Sequence, residues 1–181
     1  MIKYGAYVGR FNPTHKGHIE IIRRALDQIE EKLILIIGSA NEHRTQRNPF
    51  TIEERIDLII LNLNQDELGK IIICQQDDLY NPEKWATSIR MLISEYCLPN
   101  EIGLFGYEKD ATSYYLKMFP EYENFIINEI QGDGISSTQI RKEIFDITND
   151  QIKLNKEKIK NCENISEFTR EYLLKIIEKF D

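Results

Sequence analysis

The chain has 181 residues, enough for one α/β domain with an appendage, and a formal charge of −7. That charge argues against a general nucleic-acid binder, which needs a basic surface, but not against an enzyme that holds nucleotides with a few local cations. Three scattered cysteines without a CxxC pair, Cys74, Cys97 and Cys162, argue against a disulfide framework or zinc knuckle and for a reducing compartment. No leader-like N-terminus and no apolar run near the ~20 residues of a membrane helix is evident, so a soluble, cytoplasmic chain without a membrane partner is expected.

Strand-like and helix-like stretches alternate. Residues 2–8 read as a short buried strand, and residues 17–31 as a helix with Ile19, Ile22, Leu26 and Ile29 on one stripe. The run LILII within residues 32–38 has the continuous apolar character of a strand covered on both faces. Thr51 opens a second helix with Glu54 at capping-box spacing and Ile52, Ile56, Ile59 and Leu63 inward. Residues 71–74, 102–105 and 125–127 read as further strands. Helices are expected over 85–96 and 111–119 and from about Ser137, after a Gly132-Asp133-Gly134 turn.

Five such β-α units predict a Rossmann-like, doubly wound parallel sheet of about five strands. The tail is polar and lysine-rich, then amphipathic through Phe168, Tyr172, Leu173, Ile176 and Phe180. The expected organisation is therefore a sheet domain over residues 1–146 and a small helical appendage over 147–181.

Ligands of open α/β sheets bind at the carboxyl ends of the strands. The first such end reads Gly9-Arg10-Phe11-Asn12-Pro13-Thr14-His15-Lys16-Gly17-His18. Gly9 permits close approach, Pro13 stiffens the turn, and the helix start offers free N–H groups to an anion. His15 and His18, three apart, share a helix face and can donate to phosphate oxygens. Alone, an HxxH pair fits a metal pair or two surface histidines equally well. After the fifth strand, Ile135-Ser136-Ser137-Thr138-Gln139-Ile140-Arg141 offers hydroxyls at a helix start with an arginine one turn in. By itself that is an ordinary Ser/Thr cap.

Together and in this order, the two segments resemble the (G/T)xFxPxHxGH and ISSTxIR elements of the nucleotidylyltransferase superfamily. Arg10 directly after Gly9 resembles the archaeal-type nicotinamide-mononucleotide adenylyltransferases. So do Gly38-Ser39-Ala40 with Arg47-Asn48-Pro49-Phe50-Thr51 and Glu54-Arg55, the Asp77/Tyr80-Asn81/Trp85 stretch, and Gly106-Tyr107-Glu108-Lys109-Asp110 with Ser113-Tyr114-Tyr115-Leu116. The resemblance covers roughly residues 2–146.

It implies AMP transfer from ATP to nicotinamide mononucleotide (NMN). His15, His18, Arg10 and Arg141 are then catalytic. Gly9, Phe11, Lys16, Gly106, Ser136, Ser137 and Thr138 hold ATP, and Arg47, Asp77, Tyr80, Asn81 and Trp85 hold the acceptor. It implies no metal-binding side chains, with Mg²⁺ riding on phosphates and water. A homo-oligomer is compatible with the sequence.

Asn12 and Thr14 stand where this subgroup usually carries Gln and an aromatic. The FNP form also occurs in nicotinate-mononucleotide enzymes, so the acid acceptor stays open, as does a non-catalytic NAD- or ATP-sensing module. No Nudix box is present, and the second activity of the Nudix-fused proteins is not expected. Arg44 reads as a solvated charge or an anion clamp, and Arg55 as the partner of an acid on its own helix. The lack of GxxxxGK[ST] excludes a P-loop kinase.

Overall fold

The computed structural model describes residues 2–106, 117–127, 135–148 and 151–180. In chain order the elements are β1 (Tyr4–Gly9), α1 (Lys16–Leu26), β2 (Leu33–Ile37), α2 (Ile52–Ile60), α3 (Gln65–Gly69), β3 (Ile71–Gln75), α4 (Pro82–Ser94), β4 (Ile102–Gly106) and β5 (Glu123–Ile126). They continue with α5 (Ser137–Ile144), β6 (Phe145–Thr148), β7 (Gln151–Leu154), α6 (Lys156–Asn161) and α7 (Glu167–Lys175), and short 3₁₀ turns lie at Pro99–Glu101 and Ile177–Phe180. The expected helix over 111–119 and the Gly132-Asp133-Gly134 turn lie almost wholly outside the described residues.

β1 to β5 form one parallel sheet in the order β3-β2-β1-β4-β5. Side chains alternate across it, as the two-residue period of a strand requires. Leu33, Leu35 and Ile37 join Tyr7, Phe105, Ile19, Ile22 and Ile59 on one face. Ile34 and Ile36 join Ala6, Val8, Leu104, Ile89 and Ile93 on the other. Leu33 to Ile37 have no exposed surface at all, so the LILII run is covered on both sides as expected. This is the doubly wound architecture expected from the five β-α units.

Several element boundaries differ from the sequence reading. α1 ends at Leu26 with Asp27 as its C-cap. Ile29, expected on the helix, instead pairs with Ile2 in an isolated bridge and fills the core from there. α4 starts at Pro82 rather than Trp85, because Asn81 caps it by accepting from the Lys84 amide and Pro82 takes the first turn. The short α3, not expected, carries its own capping box between Asn64 and Glu67.

The tail contains helices α6 and α7, as expected, and also an antiparallel hairpin, β6 with β7, that straddles residue 147. Phe145, Leu154, Ile159, Leu173 and Phe180 form a third core there. That core also takes Phe50 and Leu58 from the segment between β2 and the end of α2. The segment after β2 is therefore packed against the tail through Phe50 and Leu58.

Candidate active site

At the carboxyl end of β1 the chain turns sharply. Phe11 adopts φ = 50°, a left-handed conformation that costs a side-chain-bearing residue roughly 1–3 kcal/mol. Its buried ring packs edge-on to Tyr7 and tilts against His18. A Cβ at Gly9 would lie 2.9 Å from that ring, so the close approach that Gly9 permits is to Phe11 of its own loop.

His15 caps α1 and His18 sits in its first turn, so the two rings stack with centroids 3.7 Å apart. The His15 amide donates to His18 Nδ1 at 3.3 Å. Accepting at Nδ1 places the proton of a neutral His18 ring on Nε2.

The start of α5 meets this turn. The Ser137 hydroxyl donates to the Pro13 carbonyl at 3.1 Å. Arg141, buried in the first turn and a half of α5, spans both segments: Nη1 donates to the Asn12 carbonyl at 2.8 Å and Nη2 to Thr138 Oγ1 at 3.1 Å. Ser136 caps α5 by accepting from the Gln139 amide. The starts of α1 and α5, each with the positive end of its helix dipole, thus meet at the turn after β1.

A third segment, after β2, joins them. Asn48 Oδ1 accepts from Arg10 and Asn12 side chains, both at 3.4 Å, and the fully buried Asn12 Oδ1 accepts from the Phe50 amide at 3.2 Å. Arg47 lies at the exposed apex of this loop.

The electrostatics follow from this crowding. Burial, then the charge of Arg47, lowers the pKa of Arg10. Burial, then Arg10 and Arg47, pushes that of Arg141 down to about 10. A folded arginine remains protonated; the shifts reflect burial first and then the like charge of the clustered arginines. Among the described residues no group of three or more His, Cys, Asp or Glu comes together to hold a metal.

Arg55 lies behind the cleft and is fully buried. It was expected to pair with an acid on its helix. Instead its guanidinium donates to four main-chain carbonyls: Gly38 at 2.8 Å, Ser39 at 3.0 Å, Arg10 at 3.1 Å and Thr51 at 3.3 Å. It ties the ends of β1 and β2 to the start of α2. The available signal was its place on the inward face of α2, between Ile52 and Ile59, where a solvated ion pair does not fit.

Other expected residues are placed less directly. Lys16 is exposed, and its ammonium donates to the Glu163 carbonyl at 2.7 Å, away from the arginine cluster. Arg44 forms a two-armed pair with Glu54, both contacts 2.7 Å, which settles it as neither solvated charge nor clamp. Gly106 ends β4, and its carbonyl accepts from Ile127; the residues after it that resemble the family, 107–116, lie outside the described set.

On the acceptor side, Asp77 is exposed and Asn81 is occupied as a helix cap. Trp85 is half-buried and packs on Phe119 at 6.0 Å. Tyr80, at φ = 50°, bonds through its hydroxyl to Glu42. The neighbouring Asp78 zips the loops after β2 and β3 together: its amide donates to Asn41 Oδ1 at 2.8 Å, and its carboxylate accepts from Ser39 at 3.4 Å and from the Tyr80 amide at 3.2 Å.

Residues 6–143 match the cytidylyltransferase-like family, from β1 to the end of α5. The chain belongs to that family. Both the turn after β1 and the start of α5 in this cytidylyltransferase-like chain fall inside the match. The nicotinamide/nicotinic acid mononucleotide adenylyltransferase of Acinetobacter baylyi is 33% identical over 144 residues, covering 79% of this chain and 76% of that one. The nicotinamide-nucleotide adenylyltransferase of Thermococcus kodakarensis is 31% identical over 146 residues, covering 78% and 72%.

Among solved structures, a bifunctional NMN adenylyltransferase/ADP ribose pyrophosphatase from Francisella tularensis aligns with a TM-score of 0.73 at 25% identity. It covers 98% of this chain, which spans half the length of that protein. A second structure of the Francisella protein holds AMP and a manganese ion. Among the described residues no helix is long and apolar enough to cross a membrane.

Proposed function

We propose that the protein transfers AMP from ATP to nicotinamide mononucleotide, giving NAD and pyrophosphate. The observation that carries this reading is the meeting of the α1 and α5 starts beneath Arg10, Arg47 and Arg141, a positive cleft built for a polyphosphate. The adenylyltransferase names of the relatives supply the acceptor class.

In this reaction an oxygen of the acceptor's 5′-phosphate attacks the α-phosphorus of ATP. The bond from that phosphorus to the α–β bridging oxygen breaks, and pyrophosphate leaves with its electron pair. Such transfers need positioning and charge stabilisation rather than a protein nucleophile. His18 offers an Nε2–H donor without first taking up a proton, because Nδ1 is held by the His15 amide. Arg10 and Arg141 meet the charge that grows on the leaving group.

His15, Gly9, Phe11 and the Ser136–Ser137–Thr138 turn shape the ATP side, with Gly106 at the end of the neighbouring strand. Lys16 makes no part of this cluster in its present contact with Glu163. Arg47, Asp77, Tyr80, Asn81 and Trp85 frame the acceptor side. Mg²⁺, carried on the phosphates, supplies further neutralisation of the leaving charge. We read residues 1–146 as the transfer unit and the remainder as its support. The three buried free thiols suit the reducing cytoplasm.

Parallel initial rates with nicotinamide and nicotinate mononucleotides, with ATP and Mg²⁺ and read as pyrophosphate release, test the assignment. The expected result is a higher kcat/KM for the amide. A higher value for the acid would move the protein to the nicotinate reaction, which the name of the Acinetobacter relative includes beside the amide and which the Asn12 position leaves open. Binding of ATP without any pyrophosphate release would leave a sensor.

A further inference from the structure

We propose that Phe180 and Arg44, outside the anion cleft, are positioning residues that set the loop carrying Arg47; this rests on the role of Arg47 in binding the acceptor given above.

The loop is closed at its base by one residue. The Arg44 amide donates to the Pro49 carbonyl at 3.3 Å, and Arg44 Nη1 donates to the same carbonyl at 2.8 Å. Within the loop, Thr45 and Asn48 bond each other in both directions, the Thr45 amide to the Asn48 carbonyl and the Asn48 amide to Thr45 Oγ1. Arg47 sits at the apex of this small ring of hydrogen bonds. Its direction is therefore fixed by whatever holds the Arg44 guanidinium.

Two groups hold it. On one side is the Glu54 carboxylate, in the two-armed geometry that fixes a plane and not only a distance. On the other is the ring of Phe180, whose centroid lies 4.3 Å from the Arg44 guanidinium carbon. Phe180 is itself buried, in a three-ring cluster with Phe50 and Phe145 whose centroids lie 5.5 Å from its own. Phe50 immediately follows Pro49, and its amide donates to Asn12 in the β1 turn. Lys179 adds a 3.7 Å contact to Glu54. A contact made by the tail is in this way carried through Arg44 to the loop apex, which faces Arg10 and Arg141.

A cation held over an aromatic face has an angular preference that an aliphatic side chain of similar volume lacks. The deciding experiment is a double-mutant cycle on the whole chain. The dissociation constant for nicotinamide mononucleotide is measured by calorimetry in Phe180→Leu, Phe180→Tyr, Arg47→Ala and Phe180→Leu/Arg47→Ala proteins, with the melting temperature of each.

Phe180→Leu is expected to weaken binding about three- to tenfold, Phe180→Tyr to stay near the parent, and Phe180→Leu to add nothing once Arg47 is gone. Parental affinity in a Phe180→Leu protein that merely melts earlier overturns the proposal. So does an equal loss with and without Arg47, or a parent that binds no mononucleotide. The reading as an adenylyltransferase fails separately, if the parent binds both substrates but releases no pyrophosphate.

Discussion

Arg141 Nη1 donates to the Asn12 carbonyl at 2.8 Å, joining positions 129 residues apart in the chain. Through this bond the turn after β1 and the start of α5 are held together. The second arm of the same guanidinium reaches Thr138, so the side chain is locked in plane before any ligand arrives.

Arg141→Lys retains a charge but not the fork. Lysine is a single flexible point donor and cannot serve Asn12 and Thr138 at once while also facing a phosphate. The expected loss in kcat is about 10²-fold, the scale of one preorganised transition-state donor. Steady-state pyrophosphate release measures it, and a near-parental kcat would remove Arg141 from the chemistry.

His18→Ala separates chemistry from folding. The ring is only half-buried, and its loss is expected to cost stability about 1 kcal/mol at most. Turnover is expected to fall about 10²- to 10³-fold, because the Nε2–H donor goes with the ring. Thermal melting and initial rates on the same preparation test both halves. Equal turnover would exclude His18 from the mechanism.

How far the site was legible in the sequence follows from how local each feature is. The β1 turn and the Ser136 cap rest on neighbouring residues, so their spacing could be read directly. The same holds for the sheet, since LILII and its counterparts carry their burial in their own composition.

Arg55 was misread because its four acceptors are main-chain carbonyls, and a sequence shows side chains only. The contact of Lys16 could not be read for a related reason: its partner Glu163 comes from the tail, far along the chain, as does the Phe180 ring over Arg44. The β6–β7 hairpin was missed because each strand has four residues, too few for the alternation of Phe145, Ile147, Ile152 and Leu154 to stand out from a polar tail. Asn81-Pro82 and Asn64 with Glu67 were readable cap signals that mark the starts of α4 and α3.

The arginine cluster makes an anion-linkage prediction. Burial and like charge lower the pKa values of Arg10 and Arg141, so a bound polyanion is expected to relieve repulsion as well as add contacts. Pyrophosphate at 100 times its dissociation constant is expected to stabilise the fold by about 2.7 kcal/mol. For a chain of this length that corresponds to a rise in Tm of about 5–10 °C. Thermal scans with and without pyrophosphate at low ionic strength test it, against the background of a net charge of −7 that disfavours anions in general. An unchanged Tm would contradict the cationic cleft.

Glu54 gives a pH dependence with a definite sign. Burial pushes its carboxyl pKa up, but the hydrogen bonds from Arg44 and the Thr51 amide outweigh burial and bring it below the ordinary value of 4.5. A carboxylate lowered on folding contributes stability above its unfolded pKa and loses it as pH falls through the native value. Stability is therefore expected to decline below about pH 4.5, the ordinary carboxyl value. Glu54→Gln is expected to cost about 1–3 kcal/mol at pH 7 and to flatten that acid limb. Urea titrations at pH 7 and across the acid range check both outcomes.

The most direct test of the central claim follows the phosphorus that moves. ATP labelled at the α-phosphate is incubated with Mg²⁺, nicotinamide mononucleotide and the protein, and the products are separated. Label passing into NAD, with one pyrophosphate released per NAD formed and none released without acceptor, is the result expected of the converged cleft. Label that stays in ATP, or appears only as free AMP or ADP, would contradict it.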